Sequence, residues 1–184
     1  MRKQDILKLF TLSAFSYLFF SCQDDTLTPT NNESKKELPT QTINDAHLYR
    51  SVNGLVNTEL ISPRIEIYNY SDSSKMIFPQ GLKVNFLNAD KSLKAKLSSC
   101  YAESLQNNTY YLKDSVVIIN YKDQDTFYCK DLYWIKDSAI VRTDKDVRRH
   151  SQNGIDFAKG LRAKDDFDSV KVKNPYGTQK IKED

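Results

Sequence analysis

At 184 residues the chain has room for one domain, and 27 Lys+Arg against 24 Asp+Glu leave a formal net charge of only +3. Most of that excess is N-terminal: without residues 1–21, which hold Arg2, Lys3 and Lys8 against Asp5, 24 basic residues face 23 acidic ones, a net +1. A near-neutral chain offers no clustered basic surface, so nucleic acid is excluded as the expected partner.

Residues 1–8 are basic, residues 9–20 are apolar apart from hydroxyl side chains, and Ser21-Cys22 closes the run. A basic start, a short apolar stretch and a small residue before the break predict a secretory signal peptide over residues 1–21. As a membrane span the stretch is too short, because spanning needs roughly 20 apolar residues. A cysteine directly after the small residue makes this a lipoprotein signal, with Cys22 as the lipid anchor carrying palmitate-type chains. Phe19 and Phe20 depart from the usual aliphatic and small residues there, and the competing reading is an ordinary signal peptide with an incidental cysteine. Acyl chains contribute about 0.8 kcal/mol per buried CH₂, so a multiply acylated N-terminus stays in its membrane.

Residues 22–42 are expected to form a flexible tether. After Cys22 they hold two prolines, many Thr, Asn and Ser, and only Leu27 and Leu38 as large apolar side chains, too few to fold. Such a segment averages about 25 Å end to end and reaches at most about 70 Å.

From Ile43 the pattern changes to short alternating runs. Leu82, Val84 and Phe86 alternate with Lys83 and Asn85, and Leu93, Ala95 and Leu97 alternate with Lys94, Lys96 and Ser98. Residues 116–119 are continuously apolar, and Ile155, Phe157, Lys159 and Leu161 are expected on the face opposite Asp156, Ala158 and Gly160. Period two over four to eight residues is the strand signal. Asn53-Gly54 and Asn153-Gly154 are hairpin dipeptides, and polar loops at 88–90, 107–108, 122–125 and 136–138 separate the runs. A weak internal repeat relates the hexapeptides starting at Leu97, Cys129 and Ala158, at offsets of 32 and 29 residues. Each is followed by a polar turn and a Val/Ile-bearing strand, which suggests stacked antiparallel hairpins, although any β meander shows some self-similarity. The predicted fold is all-β, with the domain over residues 43–178 and a polar tail over 179–184.

Residues for chemistry are sparse. His47 and His150 are the only histidines and lie far apart in sequence, whereas a metal site needs three or four convergent ligands. All five glycines stand alone, so there is neither a phosphate loop nor a nucleophile elbow. Asp165, Asp166 and Asp168 are expected to form a solvated loop. No catalytic residue, metal or cofactor is assigned, and the chain is not expected to be an enzyme. Cys100 and Cys129 either pair in an oxidising compartment or stand as buried free thiols. Aromatics are abundant: eleven Tyr, nine Phe and one Trp, five of them within residues 1–21. Tyr101, Tyr110, Tyr111, Phe127, Tyr128, Tyr133 and Trp134 lie in or beside strands, serving either as core or as the wall of an apolar trough for acyl chains.

Four segments within residues 76–178 carry a family resemblance. They are the run Phe78-Pro79-Gln80-Gly81 opening onto the strand at Leu82; the strand Leu93 to Leu97 leading to Tyr101-Ala102; Asp125-Thr126 leading to Leu132-Tyr133-Trp134; and Gly154 to Ala163, followed by Asp166-Phe167 and closed by Tyr176-Gly177-Thr178. In this order and spacing they resemble the LptC family, the periplasmic component of the lipopolysaccharide export machine, and residues 47–61 look like that family's first hairpin. The resemblance implies a twisted, partly open antiparallel β-jellyroll of the OstA/LptA-like type, built from short repeated hairpins. It implies a protein that receives lipopolysaccharide from an inner-membrane ABC transporter and passes it to the next periplasmic bridge protein of the same jellyroll type. Candidate lipid contacts are Phe86, Leu97, Tyr101, Phe127, Trp134, Phe157 and Leu161. Phe167, Val170 and Val172, in a last strand expected over 167–173, are the candidate edge for the downstream partner, and residues 46–52 the candidate edge for the transporter. Arg142, Arg148 and Arg149 are candidates for lipid phosphates or, more simply, a solvated strand end. Many family members hold on by an N-terminal transmembrane helix, where this chain is expected to use acyl lipid in the periplasm, most simply at the inner membrane. The alternative is a surface-exposed or periplasmic lipoprotein binding another ligand or lipid, motivated by Gln23-Asp24-Asp25, since acidic residues after an acylated cysteine can act as a sorting signal.

Overall fold

The structure is a computed structural model that describes residues 37–165 and 167–177. The predicted signal peptide, Cys22, most of the tether, Asp166, Thr178 and the tail at 179–184 lie outside the described residues.

Twelve strands form one antiparallel sheet: β1 (Gln41–Val52), β2 (Leu55–Asn69), β3 (Ser74–Phe78), β4 (Leu82–Leu87), β5 (Leu93–Ser99), β6 (Tyr101–Leu105), β7 (Thr109–Asn120), β8 (Asp125–Ile135), β9 (Ile140–Ser151), β10 (Gly154–Lys164), β11 (Val170–Val172) and β12 (Pro175–Tyr176). The all-β expectation holds, and β1 begins two residues before the expected domain boundary.

The sheet is creased along its middle into two facing leaves. β2 pairs with β4 through Thr58 to Ile61 and with β3 through Glu66 to Asn69. β7 likewise pairs with β6 through its first half and with β5 through its second. Strands β8, β9 and β10 cross the crease unbroken, with register shifts in β8 between Cys129 and Tyr133 and in β10 at Gly160. One leaf therefore contains β4, β5 and β12, the other β3, β6 and β11, and the long strands belong to both.

Local sequence explains the crease. Asp114 and Ser115 of β7 and Gly160 of β10 all have positive φ, and they fall where the pairing register of both strands shifts. Corner polar groups satisfy one another: Ser62 Oγ donates to the Gly81 carbonyl at 2.8 Å, Thr143 Oγ1 to Asp131 at 3.0 Å, and Cys100 N to the Asp114 carbonyl at 2.9 Å. The three related hexapeptides prove to be alternate crossings of this crease, on β5–β6, β8 and β10, with β7 and β9 returning between them. Cys129, Leu132 and Trp134 repeat the inward set Ala158, Leu161 and Ala163, whereas in the first copy the chain breaks into two strands and Cys100 is exposed.

All hairpin turns lie along the rim opposite the crease. Asn53 and Gly54, at φ 52° and 78°, form the expected two-residue turn. The second predicted dipeptide is displaced by one, because Gly154 already pairs with Ser151 and the turn is Gln152-Asn153. Cys100 and Cys129 are free thiols; Cys129 is buried, and burial pushes its thiol up to about 12, leaving it protonated and inert at neutral pH. Cys100 is exposed, so neither alternative, a disulfide or two buried thiols, describes the pair.

Candidate lipid-binding groove

The inner faces of both leaves meet in a single apolar core. Val84, Phe86, Ala95, Leu97, Ile118 and Phe127 come from one leaf, and Ile65, Phe78, Leu112, Leu132, Trp134, Leu161 and Ala163 from the other. Contact across the leaves is aromatic: the ring of Phe86 lies 5.8 Å from Trp134 and 5.1 Å from Phe167, both edge-on. Such pairs contribute about 0.5–1.5 kcal/mol each beyond the area they bury.

Five of the seven candidate lipid contacts, Phe86, Leu97, Phe127, Trp134 and Leu161, therefore point between the leaves. Two do not. Tyr101 lies on the outer face, its hydroxyl bonded to Glu103 at 3.3 Å and its ring beneath Lys113. Phe157 is 40% exposed on the outer face, stacked on Tyr176 at 6.0 Å. The expected β10 face is corrected by the bulge at Gly160, which adds a residue and reverses alternation. Before it Ala158 points inward and Ile155 and Phe157 outward; beyond it Leu161 and Ala163 point inward.

Towards β1 the interior opens. Inward residues Ile43, Leu60, Ile67 and Met76 are only partly covered, and Leu48 is 45% exposed. Between the diverging rims of β3 and β6 lies a cleft of about 580 Å³ bordered by Met76, Ser104, Leu105 and Tyr110. Tyr110 links this cleft to the core, its ring 5.8 Å from Trp134, and burial raises its hydroxyl pKa.

Polar groups on the inner rim are engaged with one another. Arg149 donates to Asp125 through Nε (3.0 Å) and Nη2 (2.9 Å) and stands 3.8 Å from Asp156. It is thus committed to carboxylates rather than to a lipid phosphate. Arg148 instead covers the Tyr128 ring on the outer face. Asp125, expected in a polar loop, is buried as the first residue of β8. Asn120 and Met76 were not singled out from sequence, whereas Tyr110 was named among the candidate trough aromatics and Asp165 only as part of a solvated loop. A usable signal existed for Asn120, which ends an apolar run and accepts from the amides of Lys122 and Asp123, a side-chain turn typical of Asn.

Both sheet edges are unpaired among the described residues: β1 bonds only to β2, and β11 and β12 only to β10. Val170 and Val172 lie on β11 as expected, half-buried against the core. Phe167 does not. It precedes the strand, is 1% exposed, and its carbonyl accepts from Asn120 Nδ2 at 3.0 Å. Its φ of 56° puts a bulky side chain in the left-handed region, a conformation that costs roughly 1–3 kcal/mol and persists only where the surroundings impose it.

One antiparallel sheet folded on itself, apolar within and unpaired at both ends, defines a protein of the β-jellyroll class. The chain belongs to the lipopolysaccharide-assembly, LptC-related family, whose model matches residues 6–178. It is accordingly a periplasmic component of lipopolysaccharide transport, a system associated with the inner membrane. No curated protein matches the chain.

Proposed function

We propose that the chain takes lipopolysaccharide from the inner-membrane ABC transporter on its β1 side and delivers it past β10–β12 to the next jellyroll of a periplasmic bridge. The observation that carries this reading is the polarity of the single folded sheet. An apolar interior runs between the leaves, is uncovered towards β1, and ends at two edges that no further strand pairs among the described residues. Acyl chains cross water only when shielded, and unpaired strand edges are ready templates for adding a partner's strand. The twelve-residue β1 is the long edge and β11 the short one. When the leaves part, Phe86, Leu97, Phe127, Trp134 and Leu161 become the lipid contacts. ATP hydrolysis in the transporter supplies the work, and this chain performs no reaction of its own.

Cys22 is the proposed anchor. The family match takes in the apolar stretch at 9–20 that precedes it, and roughly 20 tether residues reach far enough to hold the domain beside a transporter. Fractionation tests anchor and membrane together. Wild-type chain is expected in the inner-membrane fraction and protected from protease on intact cells, and a Cys22→Ser variant should leave that fraction or remain unprocessed. Cleavage of the wild-type domain on intact cells contradicts the transfer role and favours a surface lipoprotein that binds another ligand.

A further inference from the structure

We propose that Asp165, Phe167 and Asp168, described residues that follow β10, act as a strap that closes the groove, with Phe167 as a plug occupying the place of a lipid acyl chain. This rests on the reading of the interior as a lipopolysaccharide groove and adds to it a gate at a named site. These residues are tied to both leaves. On one leaf, Asp165 N donates to the Ala139 carbonyl at 2.9 Å, and Trp134 Nε1 stands 3.4 Å from Asp165 Oδ2. On the facing leaf, Asn120 holds the Phe167 carbonyl, and Asp168 lies 3.1 Å from Lys94 Nζ and 3.9 Å from Lys122 Nζ. The other rim turns join neighbouring strands of one leaf; this one bridges both.

The plug has a defined seat. Phe86, Ala95 and Asn120 are directly opposite one another on β4, β5 and β7, all buried and facing inward. Phe167 touches Phe86 with its ring and Asn120 with its carbonyl, and the small Ala95 is the residue between those two contacts on the sheet. Lifting the strap would open an apolar seat lined by Phe86, Ala95 and Trp134, next to Tyr110 and the cleft at Met76. Asn120, the polar residue that holds the Phe167 carbonyl, keeps its turn bonds to Lys122 and Asp123 without the strap. The ligand class this seat fits is a saturated hydrocarbon chain. The left-handed backbone at Phe167 makes the closed state one that its ties must hold, as a releasable plug requires.

The test uses the full chain in cells, with the photo-crosslinking residue p-benzoylphenylalanine in place of Met76. The strap is weakened in two ways: Phe167→Ala removes the plug, and Asp168→Lys breaks the surface ties to Lys94 and Lys122 while leaving the core intact. Because a groove open only part of the time binds in proportion to that fraction, both changes should raise the lipopolysaccharide adduct several-fold. Trp134 is the only tryptophan, and acrylamide quenching of its fluorescence in the purified full chain should rise in the Asp168→Lys protein. If Phe167→Ala does not fold, Asp168→Lys decides alone. Equal or lower adduct yield in folded Asp168→Lys overturns the strap while leaving the groove standing. No adduct from any version, wild type included, overturns the groove reading itself.

Discussion

Replacing Gly81 with alanine is expected to destabilise the domain by about 3–5 kcal/mol, a large share of the 5–15 kcal/mol typical of a folded chain. Gly81 lies at the crease between β3 and β4 with φ 78°, where any other residue but Asn or Asp is strained. A methyl group there would overlap the Ser99 carbonyl oxygen and stand 2.9 Å from the Cys100 backbone. Neither can retreat, because Cys100 N is bonded to Asp114 and the Gly81 carbonyl is held by Ser62. Gly54 provides the control: its φ is also 78°, but nothing lies within 4 Å of an added Cβ. Gly54→Ala should therefore cost only the conformational part, roughly 1–2 kcal/mol. Urea titration followed by the fluorescence of Trp134 measures both. Equal losses at the two glycines would show that the crease is not packed as described.

A second large effect separates two residues that sequence pattern alone treats alike. Phe127→Ala should cost about 3–5 kcal/mol, since its ring is 1% exposed between the leaves and truncation leaves a cavity. Phe157→Ala should cost under about 1 kcal/mol, because its ring lies on the outer face and loses only its stacking on Tyr176. The same titration measures this contrast. Comparable destabilisation by both would restore Phe157 to the interior and remove the register reversal at Gly160.

That reversal shows where sequence pattern stops being informative. Leu82, Val84 and Phe86 alternate without interruption, and all three are buried as their period predicts. In β10 the same rule fails across one glycine, because a bulge shifts every later side chain to the other face and one glycine does not announce it. The weak repeat was legible, but its meaning was not: similarity among the segments at Leu97, Cys129 and Ala158 reflects a shared need to cross the crease. Phe167 was expected on an edge strand because it precedes an alternating Val-Lys-Val. Its burial depends on Asn120, 47 residues away, and on Phe86, and no local pattern encodes such contacts. Charge was similarly misleading. Asp125 and Arg149 sit in polar contexts in the sequence, yet they form a paired cluster on the inner rim.

Closure of the interior is consistent with a transport role. Val84, Leu97, Leu112, Ile118 and Leu161 have no exposed surface, so the closed state protects its core from water while no lipid is present. On the proposed function, lipid competes with apolar side chains rather than with water, and occupancy depends on how readily the leaves part. Among the described residues the two ends differ: the β1 side is uncovered, and the opposite side carries two short strands and the buried Phe167.

The most direct test of the central claim is photo-crosslinking to lipopolysaccharide from opposite faces of the same sheet. p-Benzoylphenylalanine at Met76, on the inner face beside the open cleft, should give a lipopolysaccharide adduct that depends on ATP hydrolysis by the transporter. The same residue at Phe157, on the outer face, should give none. An adduct from Phe157 equal to that from Met76, or no adduct from Met76 in folded protein, would contradict a lipid path between the leaves.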